Sequence, residues 1–123
     1  MNANGKKTLI LGASANPSRY SYLALERLRR AGYPVVGIGK KKVNVGDVSI
    51  DTEKADFEDI DTVTVYLNPQ HQKEYYSYLL QLKPQRVIFN PGAENPELAD
   101  LLRKSGILPV EACTIVLLST GQY

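Results

Sequence analysis

Cysteine and histidine occur once each in the 123 residues, and tryptophan is missing. A single cysteine rules out a disulfide within the chain. With one cysteine and one histidine, no metal-ligand spacing of the zinc type exists. A surplus of one charge is missing too: 15 Lys+Arg against 13 Asp+Glu leave a net +2. That field is too weak to argue for nucleic acid as a partner. No apolar run approaches the roughly 20 residues of a membrane span, and no basic-then-apolar leader opens the sequence. These absences lead to the expectation of a cytoplasmic protein with no membrane or nucleic-acid partner. The length suits one domain, residues 1–123, around a single core.

What is present is organised around residues 7–21, KTLILGASANPSRYS. A short apolar run, partly β-branched, is broken by Gly12 and leads into a helical pattern. Apolar residues Tyr20, Leu23, Ala24 and Leu28 recur at helical spacing, cations crowd the last turn, and Gly32 ends the helix. Further strands are expected at 34–39, 62–67, 86–90 and 107–110, with 43–61 a loop carrying a short edge strand near 48–50 and one helical turn near 55–58. Helices are expected at 70–82, after Asn95-Pro96, and as a short closing element at 114–118. Strands separated by helical patterns imply a Rossmann-like α/β fold: a doubly wound, parallel, five-stranded sheet with helices on both faces. Numbering the five strands along the chain, the expected order is 3-2-1-4-5, with ligand beyond the strand ends where strands 1 and 4 part.

Four loops then face one crevice. The first carries the dinucleotide-type spacing as Gly12, Ser14 and Pro17, so only the first of three glycines remains. Ser14, Asn16 and Ser21 add neutral hydrogen-bonding groups, and Arg19 supplies a fork that fits phosphate. A strand running into a helix N-terminus favours an anion. The second loop holds Lys40, Lys41 and Lys42 where an NAD site would hold a carboxylate. That cluster suits a nucleotide with an extra ribose phosphate, either NADP or coenzyme A. Catalytic equipment is thin. His71, Glu94, Glu111 and Cys113 fall near the crevice without forming a dyad, and Cys113 reads as a small core hydrophobe.

The run Leu11-Gly12-Ala13-Ser14-x-Asn16-Pro17-Ser18-Arg19-x-Ser21, with Gly32-Tyr33-x-Val35, Pro69 after the third strand and Pro91-Gly92-Ala93 after the fourth, resembles the small stand-alone CoA-binding domain proteins. These are similar to the CoA-binding domain of the succinyl-CoA synthetase alpha subunit. The resemblance implies a cofactor, coenzyme A, lying across the strand ends, and no chemistry of the domain's own. It implies that Gly12, Ala13, Ser14, Asn16, Arg19 and Ser21 line the phosphate loop. Gly39, Lys40 and Lys41 would flank the adenosine end, and Leu67, Asn68 and Pro69 the adenine or pantetheine portion. The family usually has Asn-Pro after the second strand and often a basic residue before Pro69; here Gly39-Lys40 and Asn68 stand there. The expected function is therefore binding of CoA or acyl-CoA without catalysis. The alternatives are an NADP-binding, oxidoreductase-like domain and a degenerate scaffold for a protein partner.

Overall fold

Apolar runs that stay buried on both faces need a partner strand on each side and helices above and below. The computed structural model, which describes residues 5–123, meets that need with a seven-stranded sheet. Along the chain come β1 (Thr8–Ala13), α1 (Tyr20–Arg30), β2 (Val35–Gly39), β3 (Val43–Val45), β4 (Val48–Asp51), β5 (Thr62–Val65), α2 (Pro69–Gln72), a 3₁₀ turn (Lys73–Tyr75), α3 (Tyr76–Leu82), β6 (Arg86–Phe89), α4 (Pro96–Lys104), β7 (Leu108–Glu111) and α5 (Thr114–Ser119). The strands lie in the order β3-β4-β2-β1-β5-β6-β7, and all pairs are parallel except β3 with β4. Among the described residues, no helix is long and apolar enough to cross a membrane.

Side chains along β1 alternate between two cores. Leu9 and Leu11 join Val63, Val65, Val87 and Phe89 beneath Leu79 of α3 and Leu98 and Leu102 of α4. Ile10 and Ala13 join Ile50 and Ile88 beneath Leu25 and Leu28 of α1, with Leu117 and Leu118 of α5 alongside. The inner face of α1 is Ser21, Ala24, Leu25 and Leu28, one position round from the expected stripe, and Tyr20 is left 76% exposed.

The strand order corrects the expected 3-2-1-4-5. In the numbering of the five expected strands it is 2-1-3-4-5, with a hairpin added outside strand 2. The cause lies in residues 43–51. Gly46, at φ +60°, turns β3 back into β4. Strand β4 then pairs parallel with β2, Gly37 opposite Ile50 and Ile38 opposite Asp51. The close fit needs a glycine, since a Cβ on Gly37 would stand 2.8 Å from the Ala13 Cβ and 3.3 Å from Ile50 Cγ1. With that seat taken, β5 pairs with the free side of β1, Thr8 opposite Thr62 through Leu11 opposite Val65. The topological switch therefore falls between β1 and β5. The expected helical turn near 55–58 is irregular chain, and the expected 70–82 helix is broken by the 3₁₀ turn.

The far end of the sheet is closed by Tyr123. Its hydroxyl shares a 2.6 Å hydrogen bond with Thr8 Oγ1, and its ring lies 4.9 Å from that of Tyr33 and 4.4 Å from the Arg86 guanidinium.

Candidate functional site

Strand β1 reaches the switch through a bulge. Leu11 pairs with Ile38 but Ala13 pairs with Gly39, so one residue is spared. Gly12 takes it up at φ +95°, a conformation open to glycine. Tyr66 and Leu67 close against it: the Tyr66 N–H donates to Leu11 O at 2.8 Å, and a Cβ on Gly12 would stand 3.2 Å from Leu67 Cδ2. Gly39 is demanded by the same bulge, because a Cβ there would overlap the Ala13 carbonyl oxygen. Its glycine is accounted for by strand packing.

The loop after β1 is shaped by its own polar groups. Ser14 Oγ accepts from the Asn16 N–H at 3.0 Å, and Asn16 Oδ1 accepts from the Ser18 N–H at 3.0 Å and from Ser18 Oγ at 2.9 Å. The Arg19 N–H donates to Asn16 O at 3.0 Å, which closes the turn. Arg19 then begins α1 as an extended N-cap residue whose side chain makes no cap, and the first turn holds no acidic residue. A helix start leaves N–H groups without intrahelical partners and carries a partial positive charge. Arg19 is exposed beside it, while Ser21 faces inward on α1. The described residues form three ion pairs, and none of them draws on Arg19, Lys40, Lys41 or Lys42. The three lysines stand exposed just beyond β2. This end of the sheet is thus supplied with cations and amide donors that the chain leaves uncommitted.

Loops after β5 and β6 form the other side. Asn68 caps α2, its Oδ1 accepting from the His71 N–H at 3.2 Å, and Pro69 opens the helix. Gln72, fully buried, donates from Nε2 to Leu67 O and to Ala93 O, each at 2.8 Å. Asn90 donates to Thr64 Oγ1 at 2.7 Å and Val65 O at 2.9 Å and accepts from the Thr114 N–H at 2.9 Å, which ties β5, β6 and α5 together. Sequence reasoning missed both amides as builders of the site. A signal existed for Gln72: it lies three and seven residues before Tyr75 and Leu79, a polar group on an apolar stripe. Beneath this side, the Tyr66 hydroxyl is buried with no hydrogen-bond partner among the described residues. Burial pushes its pKa far up; the Thr64 and Thr114 hydroxyls nearby counter this in part, without reaching hydrogen-bond geometry.

Among the described residues, the His71, Glu94, Glu111 and Cys113 side chains form no hydrogen bond or ion pair with one another. His71 is exposed on the first turn of α2, and its backbone serves the Asn68 cap. Glu94 accepts from the Gly92 N–H at 2.9 Å. Cys113 is a free, half-buried thiol at the start of α5. Among the described residues, no three His, Cys, Asp or Glu side chains gather as a metal-binding group.

Sheet order and switch-point loops define an α/β protein of Rossmann-like type. More narrowly, the chain belongs to the family of CoA binding domains, whose pattern matches residues 6–119. No curated protein matches it. A crystal structure of an uncharacterized protein superposes with a TM-score of 0.94 at 51% identity, over 98% of this chain and 99% of that one. A Thermus thermophilus protein, cell-free ID.343, superposes at 0.85 with 21% identity, over 97% and 91% of the two chains. The dinucleotide-forming acetyl-coenzyme A synthetase 1 of Ca. Korarchaeum cryptofilum, solved with phosphate and ADP, superposes at 0.70 with 16% identity; the match covers 88% of this chain and 26% of the synthetase. At such identity the last two likenesses concern the fold.

Proposed function

We propose that this protein binds coenzyme A, free or acylated, and performs no reaction of its own. One observation carries the reading: α1 begins uncapped, without an acidic residue, beside an Arg19 side chain that has no partner among the described residues. A diphosphate is the ligand group that such an N-terminus and guanidinium satisfy together. Gly12 and Ala13 bring the backbone to that point. Ser14 and Asn16 keep a hydroxyl and an amide N–H₂ to donate while their oxygens hold the loop. Ser21 anchors the first turn. Lys40 and Lys41, past Gly39, take the 3′-phosphate of the adenosine end, and Leu67, Asn68 and Pro69 border the remaining portion. Membership of a CoA-binding family supports the choice of nucleotide. His71, Glu94, Glu111 and Cys113 form no hydrogen bond or ion pair with one another among the described residues, which suits a binding role in which chemistry, where it occurs, belongs to another protein.

Isothermal titration with CoA and with dephospho-CoA tests this. CoA binds in a 1:1 complex, and dephospho-CoA binds more weakly because the lysines lose their phosphate. Absence of heat with both ligands overturns the reading. Equal affinity for both removes only the lysine contact.

A further inference from the structure

The buried Gln72 amide makes three hydrogen bonds. Nε2 uses both hydrogens, on Leu67 O and Ala93 O at 2.8 Å each, and Oε1 accepts from Asn95 Nδ2 at 2.9 Å. Asn95 Oδ1 in turn caps α4 through the Leu98 N–H at 3.1 Å. Its Nδ2 also reaches Tyr76 Oη at 2.9 Å, and that hydroxyl donates to Glu97 Oε1 at 2.9 Å. A leucine at this position would serve the core as well. What an amide adds is a tie between two loops, the one leaving β5 and the one leaving β6, where they border the crevice.

We propose that Gln72 is a positioning residue that holds these two loops at a fixed separation for the pantetheine arm of CoA. The proposal rests on the CoA reading given above. The sheet order supplies the direction. Strand β1, with the phosphate corner at its end, lies between β2 and β5. The lysines that suit the adenosine phosphate lie past β2, so the other arm runs outward over β5 and β6. With strands about 4.8 Å apart, both tethered loops come within about 10 Å of the corner. Leu67 O and Ala93 O are held inward by Gln72, so the loop surfaces facing the arm are set before it arrives, and binding is spared the cost of ordering them.

The test uses Gln72→Met, which keeps length and apolar bulk and removes every hydrogen bond. Wild type and variant are titrated with CoA and with adenosine 3′,5′-bisphosphate, which lacks the pantetheine arm. The variant is expected to bind CoA about tenfold more weakly and the bisphosphate within about twofold of wild type. In the ligand-free variant, amide hydrogen exchange rises in residues 67–68 and 92–95 and stays unchanged in 14–16 and 18–19. Equal weakening of both ligands, unchanged CoA affinity or unchanged exchange in the two loops overturns the proposal. If wild type binds neither ligand, the CoA reading itself falls and this proposal falls with it, a result distinct from intact wild-type binding with an indifferent variant. Should Gln72→Met fail to fold, Gln72→Leu, which fills the site with another apolar side chain and also removes every hydrogen bond, carries the same expectations.

Discussion

Arg19 and Gly39 separate two kinds of residue at the crevice. Arg19 is exposed and its side chain forms no ion pair among the described residues, so its removal leaves the fold intact. Arg19→Ala is expected to leave the urea midpoint unchanged and to weaken CoA binding by about 1.5–3 kcal/mol, the range for a hydrogen bond to a charged group. Gly39 behaves in the opposite way. A methyl group there would overlap the Ala13 carbonyl oxygen, backbone that cannot swing aside. Gly39→Ala is therefore expected to destabilise the protein by about 1–3 kcal/mol through overpacking, seen as a lower urea midpoint before any ligand is added. Both residues stand near the proposed site, and the sequence alone gives no means of telling ligand contact from strand contact. That distinction needs the bulge between Leu11 and Ala13, a feature of pairing that no single residue encodes.

At the level of elements, the expected strands at 8–11, 34–39, 62–67, 86–90 and 107–110 lie within a residue or two of β1, β2, β5, β6 and β7. Both faces of β1, β5 and β6 are covered, which suits their short, β-prone runs, whereas β7 at the sheet edge leaves Leu108 and Glu111 exposed. The Asn95-Pro96 helix start was equally readable, since cap chemistry is local, and Asn95 Oδ1 does accept from the Leu98 N–H. The β3-β4 hairpin was harder to read. Val43, Val45, Val48 and Ile50 alternate about Gly46-Asp47, a period-2 signal, but the strands are three and four residues long and lie among charges. The irregular stretch from 52 to 61 is held by α3: the Tyr78 hydroxyl donates to Ala55 O, and Ile60 is buried in the core. Burial first, then the carboxylate of Asp56 and the neighbouring Tyr75, push the Tyr78 pKa from 10.0 up to about 12. The unfolded chain gives up this proton first as pH rises. The Tyr78 contribution to stability is therefore intact below pH 10 and is lost as pH climbs from there through about 12. Urea titrations at pH 8 and pH 11.5 are expected to show a smaller alkaline loss in Tyr78→Phe than in wild type; equal losses contradict the assignment.

For the whole molecule, strand order was the expectation that failed. It also moved the crevice, from a gap between the first and fourth strands to the gap between β1 and β5. Sequence periodicity tells which residues are buried and is silent on which buried strand lies beside which. Here the hairpin decides the matter by occupying the edge next to β2. The move brings the Leu67–Pro69 loop against Gly12, which makes one wall of the proposed site from two segments more than fifty residues apart. The opposite edge of the sheet is guarded. The Leu108 and Ala112 N–H groups bond inward to Gln85 O and Phe89 O. In a parallel pair the alternate residues face outward, which puts Pro109, with no N–H, on the free side of β7.

The location of the ligand decides between two places on the molecule. An open groove of about 580 Å³ lies elsewhere, between the end of α1 and the hairpin, lined by Arg30, Tyr33, Val35 and Asp47 among others. Titrating ¹⁵N-labelled protein with CoA and following backbone amide shifts distinguishes the two places. The largest shifts are expected in residues 14–22, with smaller ones in 39–42, 67–68 and 92–95. Shifts confined to residues 29–35 and 47–48, or none at saturating CoA, would contradict the proposed site.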